Sequence, residues 1–437
     1  MEAIVHPGTN VVVKPDPHGG FMTSAVTTRQ DGLVDEAEFR VRVRTFLEEH
    51  APRARRGDDG EGQLAAADQG ILERARVYQA ALFDAGLAGL TWPKEYGGQG
   101  LPGRYQTIFN EEATDFRPPS FIYVIGFGMC IPTVLAHGTE DLKQRYVRPG
   151  ARGEEVWCQL FSEPAAGSDV ASLRSTAVRD GDEWVLNGQK VWTSGAHYCD
   201  YGIVLARTNP DVPKHKGLSM FIVDMRAPGV TIRPLRQMNG AANFNEVFFD
   251  GVRLRADHIL GDPGEGWRVA LTTLMNERVA IGAGQSTEKT TPLTPISSHL
   301  EMARSRGLTN DPVIRQELAD LLIRYWVLDM VGLRIRGAVA AGRVPGPEGS
   351  VAKLIGALLS KRSAEVACHV AGASATAWSE DDGSVPFATQ MVLSAPGIGI
   401  AGGTNEVMRN ILGERVLGLP KEPQVDRDIP FRDLVSS

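Results

Sequence analysis

The sequence predicts a mainly α protein with a central antiparallel β domain, and three observations carry that prediction. Apolar residues recur at helical spacing as far as about residue 152. The period then switches to two between about 153 and 258, and helical spacing returns in long segments from Gly264. A chain of 437 residues can bury a large core and divide into two or three domains. The expected division is a mobile tail at 1–33, a helical domain at 34–152, a β domain at 153–258 and a helical bundle with a C-terminal tail at 259–437.

In chain order, residues 1–33 are rich in Pro, Gly and Thr without periodicity and read as a tail. Val34 opens a helix in which Phe39, Val43, Phe46 and Leu47 share a face, and His50-Ala51-Pro52 ends it. After a Gly/Asp-rich break at 57–62, Ile71, Ala75, Tyr78, Leu82 and Phe83 mark a second helix. Pro93 and four glycines make 89–100 a long turn. Helices are expected at 105–114, 121–136 and 140–147. In the β region, 175–178 and 184–187 flank Asp180-Gly181, a strong hairpin signal. Further strands are expected at 201–206, 218–223, 230–234 and 246–249. The last part reads as helices at 266–285, 311–341 and 348–373, interrupted by breaks at 286–298 and 378–399.

Composition narrows the function classes. A formal charge of −7 and a pI near 5.8 give no basic footprint, so nucleic acid is not an expected partner. Neither an apolar run of membrane length nor a signal-peptide order is evident, and the expectation is a soluble cytoplasmic protein with no membrane association. Cys130, Cys158, Cys199 and Cys368 form no CxxC pair and read as buried free thiols. The histidines make no HExxH-type pattern, so no metal is expected.

The chemistry gathers around residues 159–170. An apolar run stops at Ser162, and the Pro, Gly, hydroxyl and carboxylate residues that follow form a turn able to present backbone N–H groups to a phosphate. A second strand-like run ends in Trp192, Thr193 and Ser194, which pairs a flat aromatic with two hydroxyls. A phosphate cradle beside a planar stacking surface points to a nucleotide cofactor. The alternative is that Ser162 caps a turn and Trp192 is core.

Four segments in order, WPKEYGGQGLP (92–102), SEPAAGSDV (162–170), NGQKVWTSGA (187–196) and GGTNEVMRNILGERVLGLP (402–420), carry a resemblance. From about residue 34 to 420 the chain resembles the acyl-CoA dehydrogenase family, FAD-dependent enzymes that introduce an α,β double bond into acyl-CoA thioesters. The resemblance implies a helical N domain, a β-barrel-like middle domain and a C-terminal four-helix bundle. It implies FAD as cofactor, with Phe161 and Ser162 at the flavin ring and Gly167 and Ser168 at the pyrophosphate. Trp192 and Ser194 would lie beside the ring, and Gln159, Thr193, Thr404 and Asn405 complete the cofactor set. Ser168, Leu274, Arg278 and Gly402 are the implied substrate contacts.

The reaction needs a base for the α-proton and donors for the developing enolate oxygen. Many family members place that base immediately before a Gly-Thr pair, and here that position is Gly402. The resemblance then points to Glu277, the position used by the isovaleryl-CoA and long-chain branches. From the residues alone, Ala270, Leu274, Glu277 and Ile281 share one helix face, so a single carboxylate sits on an apolar stripe. The alternative is a Glu paired with a basic residue at the stripe's edge. Gly402 leaves room for a branched, bulky or ring-bearing acyl group.

The resemblance also implies an electron-transfer flavoprotein as partner and assembly as a dimer or a homo- or heterotetramer. Two rival functions remain open, a flavin-poor structural subunit of a heteromer and an oxygen-using oxidase or monooxygenase offshoot. The family's Arg-x-x-Phe-Gly and Gln-x-x-Gly-Gly segments are not intact here. In their places stand Ser305-Arg306-Gly307-Leu308-Thr309 and Cys368-His369-Val370-Ala371-Gly372, so the adenine-side contacts differ or come from another subunit.

Overall fold

The computed structural model describes residues 34–53, 69–119, 121–282, 296–340, 346–347, 349–377, 385–423 and 426–434. The expected tail at 1–33 and the break at 57–62 lie outside the described residues.

Helix α1 (Glu36–His50) begins where Asp35 accepts the backbone N–H groups of Ala37 and Glu38, a cap worth about 1 kcal/mol. Its stripe of Phe39, Val43, Phe46 and Leu47 is buried as the spacing predicts, against α2 (Gln69–Asp84) and α3 (Gly103–Ala113). The expected helix at 121–136 is interrupted. A short tight turn at Phe121–Tyr123 and a widened turn at Gly126–Cys130 precede α4 (Ile131–His137). Gly126 and Gly128 weaken helix propensity there, and a Cβ on Gly126 would meet the Trp157 side chain at 3.5 Å. Thr139 caps α5 (Glu140–Arg152), which ends at Gly153 in the left-handed conformation.

The strands are β1 (Trp157–Leu160), β2 (Thr176–Asp180), β3 (Glu183–Ser194), β4 (Tyr201–Arg207), β5 (Leu218–Asp224), β6 (Val230–Leu235), β7 (Phe244–Arg255) and β8 (Ile259–Leu260). They form one sheet in the order β6-β7-β3-β2-β4-β5-β8, with β1 added on β4. Most pairs are antiparallel, including the hairpin over Asp180-Gly181. The expectation of a wholly antiparallel domain needs one correction, because β1 runs parallel to β4 and β2 touches β4 in parallel at Thr176. The chain enters β1 directly from α5 and must cross over before returning in β4, which sets the parallel direction.

Helix α6 (Gly266–Gly282) joins the sheet to the helices. Val269 and Ala270 are fully buried in a core with Leu205, Leu218, Met220, Ile222, Tyr146 and Trp157. Thr273 and Thr133 of α4 share a hydrogen bond of 2.9 Å within that contact. Beyond it come α7 (Ile296–Ser305), α8 (Pro312–Ala340), α9 (Gly349–Ala371), α10 (Phe387–Ile398) and α11 (Asn405–Ile411).

Helix α9 packs on α6, α8, α10 and α11. Two expectations fail here. The first residues of α7 replace the end of the expected break at 286–298, and α10 occupies most of the described part of the break at 378–399. Pro396 locally favours a break. It sits in the last turn of α10, where the helix survives because Ala388 and Ala395 are buried and α9 covers them. No helix among the described residues is long and apolar enough to cross a membrane.

Candidate active site

Where β1 ends, the chain leaves the sheet through Phe161 and Ser162 and turns back within a few residues. Backbone bonds of 3.0 Å in both directions between Glu163 and Ala166 close the turn. Beneath it lies a buried ion pair. Lys190 Nζ donates to Glu163 Oε1 at 2.9 Å and to the Phe161 carbonyl at 3.1 Å. Glu163 also accepts the backbone N–H groups of Arg174 at 2.6 Å and Ser175 at 2.9 Å. Burial alone would raise the Glu163 carboxyl, but Lys190 and these donors hold it below the usual carboxylate range. Burial pushes the Lys190 ammonium down against the pull of Glu163. The pair joins the two predicted motifs, since Val191 N–H also reaches the Ser162 carbonyl at 2.9 Å.

At the tip of the turn Gly167 and Ser168 are exposed, and a Cβ on Gly167 would meet nothing within 4 Å. Gln159 is half-buried on β1, opposite Ile203 of β4.

Strand β3 slips register against β7 between Lys190 and Thr193. Within the slip Trp192 has φ 60°, the one positive φ outside glycine among the described residues. Such a conformation costs about 1–3 kcal/mol and marks a functional constraint when the surroundings enforce it. Its consequence is that the indole turns outward, 58% exposed, edge-on to Phe244 at 5.9 Å between ring centres. Thr193 turns inward and is buried, with its Oγ1 lacking any hydrogen-bond partner among the described residues. Ser194 lies opposite Phe244, and Gly195 ends the strand in the left-handed conformation, φ 64°.

The predicted base belongs to another layer. Glu277 is half-buried on α6, one turn beyond Leu274, which packs against the core shared with the sheet. Arg278 follows on the same helix, and its side chain falls outside the described residues. The loop before α11 holds Gly402 and Gly403 at φ 66° and 95°. Thr404 caps α11 by accepting Val407 N–H at 3.2 Å. Asn405 donates its N–H to the Gly399 carbonyl at 3.0 Å, while its buried Oδ1 has no partner among the described residues.

Lys353 of α9, which sequence reasoning missed, ties these parts together. Its Nζ donates to the Gly399 carbonyl at 3.5 Å. Burial lowers its pKa, and the charges of Glu406 and Glu277 oppose that shift. In the sequence it stands apart from Lys361 and Arg362 of the same helix, in a first half that is otherwise small and apolar.

The structure therefore brings 161–163 together with 190–194, and it sets Lys353, bonded to the Gly399 carbonyl, in the field of Glu277 and Glu406. It also brings together the two segments that depart from the family pattern. The Arg306 guanidinium donates to the Ala371 carbonyl at 2.9 Å and to Ser374 Oγ at 2.7 Å, so its donors are engaged within its own chain.

Helices, sheet and helices thus follow one another along the chain, with an outward indole and a glycine turn at the sheet's margin. Family models match the N-terminal domain of acyl-CoA dehydrogenase at residues 34–154, the middle domain at 158–252 and the C-terminal domain at 264–417. The chain belongs to the acyl-CoA dehydrogenase family, whose members are FAD-dependent oxidoreductases. It is 39% identical to acyl-CoA dehydrogenase IpdE1 of Mycobacterium tuberculosis, over 89% of this chain and 99% of that protein. Among solved structures it is similar to the Tcur3481-Tcur3483 steroid ACAD, with a TM-score of 0.73 at 27% identity, covering 89% of this chain and 98% of that one. It is also similar to the ChsE4-ChsE5 complex from Mycobacterium tuberculosis, with a TM-score of 0.70 at 29% identity, covering 91% of this chain and 100% of that one.

Proposed function

We propose that this chain is an FAD-dependent acyl-CoA dehydrogenase in which Glu277 removes the α-proton of an acyl-CoA thioester as the α,β double bond forms. The observation that supports the reading is Lys353, which donates to the Gly399 carbonyl three residues before Gly402 and lies in the field of Glu277. The carboxylate and the cation stand on α6 and α9, and the cation's carbonyl partner opens the half-buried loop that leads to α11. The domains are taken as 34–152, 153–258 and 259–437, with the site between the second and third.

The residues fit the cofactor. Thr193 Oγ1 and Asn405 Oδ1 are buried polar atoms without a partner among the described residues, and Trp192 accepts backbone strain to hold a flat face outward. Gly167 leaves open space at the turn. Phe161, Ser162, Trp192, Thr193 and Ser194 would hold the ring side, Gly167 and Ser168 the pyrophosphate, and Gln159, Thr404 and Asn405 the remaining contacts. When bound, FAD supplies the two-electron acceptor for the β-hydrogen.

The chain's own part is proton chemistry and orientation. Glu277 accepts the proton from Cα. The Gly402 N–H donates to the thioester oxygen as negative charge develops there, an interaction stronger in the transition state than in the ground state. Lys353 fixes the loop through the Gly399 carbonyl and sets a positive charge in the field of Glu277. Leu274, Arg278 and Ser168 complete the substrate side. The missing side chain at Gly402 suits a branched or bulky acyl group, including a ring-bearing one.

The test is Glu277→Gln. The variant is expected to fold, stay yellow and lose about 10²–10⁴-fold in turnover. Near-normal turnover removes Glu277 from the mechanism, and activity confined to short straight-chain thioesters removes the bulky-acyl reading. An electron-transfer flavoprotein is the proposed acceptor. Fast reoxidation by an air pulse after anaerobic reduction would favour an oxidase instead, and colourless protein would favour a structural subunit.

A specific observation supports assembly with a second acyl-CoA dehydrogenase chain. Helix α8 buries Ile314, Leu318 and Leu321 on one side, yet Ile323, Trp326, Val327, Met330 and Leu333 stand exposed at helical spacing on another. A contiguous apolar face of this size marks a contact surface. The two similar structures are, by name, complexes of two chains.

A further inference from the structure

We infer that the segment 426–434 is a clasp that holds the glycine turn at 163–173 in the shape needed to retain FAD. The inference rests on the proposed cofactor role of that turn and goes beyond it, because none of the four family segments includes this part of the chain.

The segment returns to the sheet after α11. Phe431 donates its N–H to the Val212 carbonyl at 3.0 Å, Arg432 donates to the Pro210 carbonyl at 3.0 Å, and Pro430 bridges to Pro213. It thus docks as an extra edge on the loop between β4 and β5, and Arg432 pairs with Asp211 beside it.

Two cations carry this docking into the turn. Lys214 Nζ donates to Asp426 Oδ2 at 2.8 Å and to Asp169 Oδ2 at 2.8 Å, and its side chain is only 13% exposed. Asp169 follows Gly167 and Ser168 directly. The buried Arg207 donates to the Ala171 carbonyl at 2.6 Å and to the Leu173 carbonyl at 3.3 Å, while Phe431 covers its guanidinium at 3.4 Å from the ring centre. One ammonium therefore joins the segment to the turn by two charge-assisted bonds, and one guanidinium is sandwiched between the turn's carbonyls and the segment's aromatic ring.

Within the turn the tip is tied through Asp169, whose Oδ2 also accepts Ser172 Oγ at 2.6 Å and whose carbonyl accepts the Ser172 N–H at 3.0 Å. Gly167, Ser168 and Asp169 are exposed, and Gly167 has no neighbour within Cβ reach. Backbone N–H groups bind a phosphate well only if they are already oriented, so a loose tip loses affinity to ordering entropy. Without Asp426 and Phe431, Lys214 loses one of its two anchors and Arg207 loses its cover. The turn remains chemically intact but less ordered.

The experiment uses the full chain carrying Asp426→Asn with Phe431→Ala, and separately Lys214→Met, with FAD as the probe. Flavin release is followed by the recovery of flavin fluorescence, and amide hydrogen exchange is read over 163–173. Both variants are expected to release FAD at least about tenfold faster, in line with the loss of one charge-assisted bond. Exchange in the turn should rise while α1 to α3 stay at wild-type protection. Lys214→Arg, which can still span both carboxylates, should restore slow release. If the wild type binds FAD and the variants release it at the wild-type rate with unchanged exchange, the clasp is overturned. If the wild type neither carries nor binds FAD, the cofactor reading fails and the clasp with it. If Asp426→Asn with Phe431→Ala does not fold, Asp426→Asn alone serves, with the same two readouts.

Discussion

Replacing Lys190 by Met tests whether the buried pair governs the sheet margin that carries both cofactor motifs. The Lys190 side chain is 0% exposed and that of Glu163 7%, so the substitution leaves a carboxylate in the interior without its cation. Removing one partner of a buried pair costs about 3–5 kcal/mol. The Arg174 and Ser175 N–H groups still reach Glu163, which places the expected loss near the lower end, about 3 kcal/mol. Adding Glu163→Gln removes the stranded charge, so the double variant should be more stable than the sum of the single losses requires. The coupling should fall within about 0.5–3 kcal/mol.

The assay is denaturant unfolding of flavin-stripped protein followed by the fluorescence of Trp157 and Trp184, since bound ligand would add its own stabilisation. The pH dependence fixes the sign independently. The folded Glu163 carboxyl lies below its ordinary value of 4.5, so its contribution is present above that value and is lost as pH falls through the folded one. The gap between wild type and Lys190→Met should therefore narrow on acidification below about 4.5. A Lys190→Met protein within about 0.5 kcal/mol of wild type at neutral pH would refute the reasoning, because that is the behaviour of a surface substitution.

Three further outcomes follow from two residues. Trp192→Ala should weaken flavin retention while leaving the flavin-free protein nearly as stable, because the indole is exposed; wild-type retention would end its stacking role. At the same position Gly should be more stable than Ala by about 1 kcal/mol in the flavin-free protein, since φ 60° strains any side chain. Trp326→Glu on α8 should lower the mass measured by light scattering without altering the circular dichroism. An unchanged assembly would show that the apolar face of α8 is not the contact.

Part of the fold was legible from the sequence because it is local. The hairpin at Asp180-Gly181 and the buried stripe of α1 follow from the repeat of 2 or 3.6 residues that the backbone imposes. The strained Trp192 could be singled out as a residue but not as a conformation. Its positive φ arises from the register slip against β7, and that slip depends on a strand more than fifty residues away. The widened turn at Gly126–Cys130 and helix α10 were misread for a related reason. Gly and Pro report local preference, and packing against Trp157 in one case and α9 in the other overrode or redirected it.

By itself, then, the sequence determined the alternation of helical and extended segments and the residue types that stand in the turn after Ser162 and at Gly402. Only the tertiary structure decided which charges meet. Glu163 finds Lys190 beneath the turn, Lys353 finds the carbonyl of Gly399 near Glu277, and Lys214 finds Asp426 at a sequence separation of 212. The physical reason is that a periodic pattern fixes which face of an element is apolar. The partner of a buried charge is set by the path the chain takes between elements, and no local repeat records that path.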